Sequence, residues 1–313
     1  MHKTRTVRCN RQALLAISVY VAISMTLGRS VYSMEPTDSD VCYGQVGDVR
    51  LLLDVYESAP PADHDADAPF PAGPLRPLVV WIHGGAWRSG SKSRVPVLPW
   101  LQHGFMIASV DYRLSPVARF PAQIHDIKAA IRFMVSQREH FRINPDQIVV
   151  AGASAGGHLA ALVGTTNGHA ALEWDREGSP AEPANVRAIV SFYGAANLLS
   201  ILSQSTEHGL SVRVPALRLL LGTLPAETPG IARLASPVSH VDAHDPPLWL
   251  IHGDADPQMP PEQSHELMRA YQDHGLPASL DIIEGGLHGG REFYSVERLN
   301  RIAGQLLRYM SNR

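Results

Sequence analysis

"VVAGASAGGHLAALVG", residues 149–164, passes from a β-branched apolar run through Gly-Ala-Ser-Ala-Gly into a run rich in alanine and leucine. The first part favours a buried strand and the last a helix. Between them Ser154 is the centre of GxSxG, flanked by Gly152 and Gly156. The bare pattern is weak evidence, but its place between strand and helix gives it a physical reason. Small residues at 152 and 156 let the backbone turn tightly, lift the Ser154 hydroxyl above a sheet and aim the amino end of the next helix at it. The competing assignment makes Ser154 an ordinary helix cap.

Outward from this turn, short apolar runs alternate with helical patterns: "PLVVWI", "FMIASVDY", "QIVVAGAS", "RAIVSFYG", "PLWLIHG" and "ASLDIIEG". Near-continuous apolar strands separated by helices predict a mostly parallel sheet covered on both faces, an α/β fold. In "AQIHDIKAAIRFMVSQR" the residues Ile124, Ile127, Ala130, Ile131 and Met134 fall on one helical stripe, and "ERLNRIAGQLLRYM" repeats the pattern near the end. "YGQVGDVRLLLDVY" reads as an antiparallel pair at the sheet edge. The stretch 198–241, leucine-rich and broken by Pro215 and Pro225, reads either as a cap over the carboxyl edge of the sheet, where ligands of open α/β sheets bind, or as ordinary crossover helices.

The chain begins with Lys3, Arg5, Arg8 and Arg11, followed by an uncharged run from Ala13 to Leu27 and a small-residue pattern at Val31 and Ser33. Residues 1–33 are therefore expected to be an export signal, with an uncleaved membrane anchor as the alternative and no stable span after processing. Their removal takes five basic residues and no acidic one, moving the formal charge from −3 to −8. An acidic mature chain argues against a nucleic-acid partner. Of two cysteines only Cys42 then remains, so no internal disulfide forms and the fold must hold by its core. Residues 34–313 suit one large domain without repeats, with the Pro-, Ala- and Asp-rich stretch 57–77 as a surface connection.

A serine hydroxyl needs a base, and the base needs a group that holds its tautomer. In an elbow of this kind the partners follow in the order Ser, Asp or Glu, His, which excludes every histidine before Ser154. His288, in "IIEGGLHGG", lies in a glycine-flanked turn after the last strand and is the candidate base. His158, one helical turn past Ser154, suits local packing; His169, His208, His240, His244, His265 and His274 read as surface residues. "LIHGDADP" offers Asp254 and Asp256 as the acid, and spacing alone does not separate them. No further carboxylate or histidine accompanies that turn at ligand spacing, so neither a metal nor an organic cofactor is expected.

Together "HGGAW", "DYRLSP", "FPAQIHDIKAAIRF", "GASAGGHLAAL", "LASPVSHV", "PPLWLIHGDADPQMP" and "EGGLHGG" resemble the α/β-hydrolase esterases of the hormone-sensitive-lipase-like group, above all their acetylxylan/feruloyl esterase-like branch. The likeness runs from about Val41 to Arg313. It implies the α/β-hydrolase fold and a triad of Ser154, His288 and Asp256, the last residue of HGxxD, with Asp254 left as a turn residue. It also implies an oxyanion hole from the N–H groups of Ala155, Gly85 and Ala86, with Gly84 as a further candidate. Many relatives carry a third glycine where this chain has Ala86, which matters only if that position needs a positive φ.

The same "GGAWRSGSK" string is a near miss for a phosphate loop. Lys92 stands one residue too far from Gly90, a turn of about 100° on a helix, and reads as a solvated surface cation. Trp87 suits a pocket wall or plain packing equally. The expectation is an exported serine carboxylesterase for short-chain esters, small or polymer-linked. The alternatives are a formamidase or peptidase with the same triad, a methylesterase of lipidated cysteine, and a non-catalytic binding protein on this fold.

Overall fold

The computed structural model describes residues 35–58, 74–173 and 184–311. The expected export signal and most of the 57–77 connection lie outside the described residues. Among the described residues, no helix is long and apolar enough to cross a membrane.

Eight strands form one sheet: β1 (Asp38–Val46), β2 (Val49–Tyr56), β3 (Arg76–Ile82), β4 (Met106–Val110), β5 (Ile143–Ala153), β6 (Ala188–Phe192), β7 (Leu248–Gly253) and β8 (Ala278–Ile283). Their order is β1-β2-β4-β3-β5-β6-β7-β8. The β1–β2 hairpin predicted for the edge is antiparallel, and so is its junction with β4; every later neighbour is parallel. Parallel neighbours require crossovers, and the helices supply them. These are α1 (Ala122–Ser136), α2 (Arg138–Phe141), α3 (Ala155–Gly164), α4 (Ile201–Gln204), α5 (Glu207–Leu221), α6 (Pro229–Leu234), α7 (Glu262–Asp273) and α8 (Val296–Ser311). This is the α/β-hydrolase architecture.

Period-two alternation divides each central strand between two cores. In β3, Leu78, Val80 and Ile82 join one core with Ile124, Ile127 and Ile131 of α1 and Leu159 and Leu162 of α3. Val79 and Trp81 join the other, with Trp100, Phe105 and Leu299, Ile302 and Leu306 of α8. Both faces are apolar because both are covered, which is why these strands read as unbroken apolar runs. The predicted stripe of α1 is buried at Ile124, Ile127, Ala130, Ile131 and Met134.

Two expectations are corrected. Pro215 does not break the 198–241 stretch: α5 runs through it, ending at Gly222 in a left-handed cap. Burial of Ala216, Leu217 and Leu220 on the following turn outweighs the hydrogen bond that a proline cannot donate. Lys92 is not a solvated cation. Its Nζ lies 2.8 Å from Asp40 and 2.9 Å from Asp54, with only 13 % of the side chain exposed. Its backbone is held as well, its N–H donating to Asp111 Oδ1 at 2.7 Å and its carbonyl accepting from Ser109 Oγ at 2.7 Å.

Lys92 thus fastens the edge hairpin to the segment that follows β3. Asp40 is largely exposed and contributes little, whereas Asp54 is 7 % exposed and would be stranded without its cation. Lys92→Met should therefore destabilise the fold by about 3 kcal/mol, read as a lowered urea midpoint at unchanged slope.

Candidate active site

Ser154 lies between the end of β5 and the start of α3 at φ 55°, ψ −118°, with no hydrogen bond from its side chain to the helix it precedes. That leaves the hydroxyl for other partners and removes the helix-cap reading. Positive φ is strained for a serine, and the surrounding backbone imposes it. A Cβ on Gly156 would lie 2.0 Å from the Ile82 carbonyl oxygen, and one on Gly152 would lie 2.3 Å from the Gly156 carbonyl oxygen. The end of β3, the end of β5 and the first turn of α3 therefore meet backbone to backbone. The Ser154 N–H, donating to Phe192 O at 2.8 Å, fastens the turn to β6 as well.

Two loops carry the partners. After β7, Asp254 Oδ1 accepts from Gly285 N at 2.7 Å and Ala255 N donates to Gly286 O at 3.1 Å. The turn after β8 is thereby laid against the turn after β7, and Asp254, which the resemblance leaves as a turn residue, braces the two together. The result brings His288 between two groups. Its Nε2 lies 2.8 Å from Ser154 Oγ, and its Nδ1 lies 2.7 Å from Asp256 Oδ2. An aspartate at Nδ1 fixes the hydrogen there and leaves Nε2 to accept from the serine hydroxyl. The side chain of Asp256 is fully buried and that of His288 is 14 % exposed.

Burial alone would raise the Asp256 pKa. Hydrogen bonds from His252 and His288, the charge available on His288 and the Met259 N–H outweigh it and hold the carboxyl below the ordinary aspartate range. Asp256 Oδ1 accepts from the N–H groups of Gln258 and Met259, both at 2.8 Å. The loop is braced from the 198–241 stretch too: Thr206 Oγ1 donates to Pro257 O at 2.6 Å and Arg213 Nη2 to Gln258 O at 3.0 Å. The far end of α5 accepts from the Phe120 N–H through Leu220 O at 2.8 Å.

The segment after β3 turns back beside the elbow. A Cβ on Gly84 would lie 3.3 Å from the Ser154 Cβ, and Gly85, at φ 118°, accepts from the N–H groups of Arg88 and Ser89 at 3.1 Å each. Among the described residues no carbonyl accepts from the N–H of Gly85 or Ala86, and Ala155, as first residue of α3, has no acceptor within its helix. These N–H groups belong to residues adjoining Gly84 and Ser154, whose own Cβ positions nearly touch.

Some sequence readings change here. Trp87 is packing rather than pocket wall: it is fully buried and its Nε1–H donates to His158 Nδ1 at 3.1 Å. His158 Nε2 donates to Ala235 O at 2.7 Å, so both ring nitrogens are engaged, and burial pushes its pKa down to about 4. His169, His240 and His265 are half-buried rather than surface residues, and the His169 and His240 rings meet edge to face at 5.1 Å. Two residues at the site were not anticipated at all. His252 is buried against Asp256, and Tyr193 meets the His288 ring edge-on at 4.9 Å while bonding Tyr294 through its hydroxyl. Neither carries a sequence signal, since each sits at the end of a strand among apolar residues.

Ala86 adopts φ 53°, so the position does require the left-handed conformation that a third glycine would supply freely. An alanine there costs about 1 kcal/mol in backbone strain. Ala86→Gly should recover roughly that amount, measured as a raised urea midpoint.

With this geometry established, comparison with known proteins places the chain among its relatives. It is 30% identical over 242 residues to Esterase LipQ of Mycobacterium tuberculosis, covering 76% of this chain and 53% of that protein. The chain thus spans about half the length of such curated relatives. A truncated carbohydrate esterase from gut microbiota superposes at a TM-score of 0.76 and 27% identity, covering 91% of this chain and 99% of that one. The butyrate-bound Est2 esterase of Thermogutta terrifontis superposes at 0.66 and 25% identity, over 86% and 92%. The BD-FAE family model matches residues 68–271, a stretch that contains the glycine turn after β3, the serine elbow and the acid loop; on that match the chain belongs to the BD-FAE family.

Proposed function

We propose that this chain is a serine carboxylesterase that acts through an acyl-enzyme. The observation that carries this reading is a single imidazole, that of His288, within hydrogen-bond reach of both the Ser154 hydroxyl and the Asp256 carboxylate. His288 Nε2 takes the hydroxyl proton as Ser154 Oγ bonds to the ester carbonyl carbon. The imidazolium so formed is stabilised by Asp256, which keeps its own charge. The carbonyl oxygen becomes an alkoxide facing the N–H groups of Ala155, Gly85 and Ala86, each worth about 3 kcal/mol of barrier. Collapse breaks the bond to the alcohol oxygen, which leaves with the proton from His288. Water, deprotonated by the same nitrogen, then attacks the acyl-serine; collapse breaks the acyl–Oγ bond, releasing the acid as His288 returns the proton to Ser154 Oγ.

For substrate we infer short acyl groups on small or polymer-linked alcohols. The family supports this, as do neighbours described as a carbohydrate esterase and as an esterase holding butyrate. A formamidase or peptidase would use the same three residues, so substrate choice is the discriminating measurement.

With p-nitrophenyl acetate, butyrate and octanoate, kcat/KM should favour the two shorter chains over octanoate by about tenfold or more. A preference for octanoate defeats the acyl-length reading, and faster turnover of matched anilides than of esters defeats the esterase reading. A fluorophosphonate probe should label Ser154 and leave Ser154→Ala untouched; an unlabelled wild type would indicate a binding protein. Asp256→Asn should lower kcat by about 10³-fold or more, as loss of the orienting acid does, and Asp254→Asn by only a few-fold. The reverse ranking would move the acid to Asp254.

A further inference from the structure

Asp256 serves two histidines, and the triad chemistry uses only one of them. His252, at the end of β7, is fully buried. Its Nδ1 lies 2.7 Å from Ser264 Oγ on α7. Its Nε2 lies 3.1 Å from Met259 O and 3.3 Å from Asp256 Oδ2. A carbonyl and a carboxylate only accept, so Nε2 carries the hydrogen, which bonds the Met259 carbonyl with the carboxylate oxygen beside it, and in the neutral ring Nδ1 accepts from the Ser264 hydroxyl. The partners therefore dictate the tautomer.

The oxygen concerned is the one on which His288 rests. Oδ2 receives the His288 Nδ1–H at 2.7 Å, while Oδ1 is taken up by the N–H groups of Gln258 and Met259. Because Oδ1 already anchors the carboxylate, the imidazole at 252 is not needed to hold Asp256 in place. Its effect falls on how much charge Oδ2 has left for His288.

We propose that His252 is a positioning residue of the triad, whose Nε2–H, bonded to the Met259 carbonyl, also lies against the Asp256 oxygen that serves His288 and so draws on the charge of that oxygen. The proposal rests on the esterase reading above. A carboxylate that also faces a fixed donor offers less charge to the imidazolium of the catalytic base and holds it less tightly. Removing the donor concentrates the charge on the remaining bond and tightens the hold on the imidazolium.

Other charged and titratable groups face the pair. Arg213 of α5 acts on Asp256 and is itself opposed by Arg88. Tyr193, against the His288 ring, is influenced by Arg94, Glu292 and Asp256 and is bonded to Tyr294. All are unchanged by substitution at 252, so a comparison among variants at that position isolates its contribution.

The test is the acid limb of kcat/KM for p-nitrophenyl acetate, which reports the ionisation of the base in the free enzyme. It is measured in wild type, His252→Phe, which fills the space without a donor, and His252→Gln, whose amide restores one. The limb should move up by about half a unit or more in the Phe variant and return toward wild type in the Gln variant. A limb that stays in place or moves down in a folded Phe variant overturns the proposal, as does a Gln variant that matches Phe. Should circular dichroism show the Phe variant unfolded, His252→Met replaces it with the same criteria. Wild-type protein without measurable ester hydrolysis would overturn the esterase reading itself, whereas an active wild type with an unmoved limb overturns only the role of His252.

Discussion

A contact made without side chains underlies the whole site. Because Gly152 and Gly156 present no Cβ, the Ile82 carbonyl at the end of β3 can press against the first turn of α3, and the chain between must cross Ser154 at positive φ. The strain is of order 1–3 kcal/mol, and it is held in place by burial of every residue of α3 between the sheet and its neighbours. The same contact fixes where the segment after β3 departs, so the elbow at Ser154 and the turn carrying Gly85 and Ala86 arise from one packing event rather than two. The site is consequently a property of the core, and the loops that bring Asp256 and His288 are added to it from the next strands along the sheet.

Much of this was legible in the sequence, for reasons that differ by element. Strands β3 to β7 announce themselves because a sheet covered on both faces needs apolar residues on both sides of each strand, which leaves near-continuous hydrophobic runs, whereas edge strand β8 keeps only Ile283 buried. The elbow is legible because its backbone contact tolerates only small residues at fixed offsets from the serine. His288 could be named because glycines on both sides of a histidine after the final strand leave little else for the turn to do. The choice between Asp254 and Asp256 needed a resemblance, since it depends on which carboxylate receives the peptide N–H groups of Gln258 and Met259.

What escaped the sequence is interaction across long separations. Lys92 looks like a surface cation beside "RSGS", and only folding shows that Asp40 and Asp54 of the edge hairpin surround it. Pro215 looks like a helix terminator until the apolar residues after it are seen to be buried. His252 stands four residues before Asp256, a spacing with no meaning along an extended strand; the turn after β7 is what folds one back onto the other. In each case a local rule gave way to a partner that lies elsewhere in the chain.

The two attachments of α5 tie the 198–241 stretch to two separate loops. Near Thr206 and Arg213 the helix is bound to the acid loop, and near Leu220 to the segment before α1. Between these moorings the outward residues, Leu219 among them, face solvent and take no part in either attachment. A helix tied down at two places works as a strut: a displacement of the acid loop is passed along it to the segment before α1, so neither loop shifts alone.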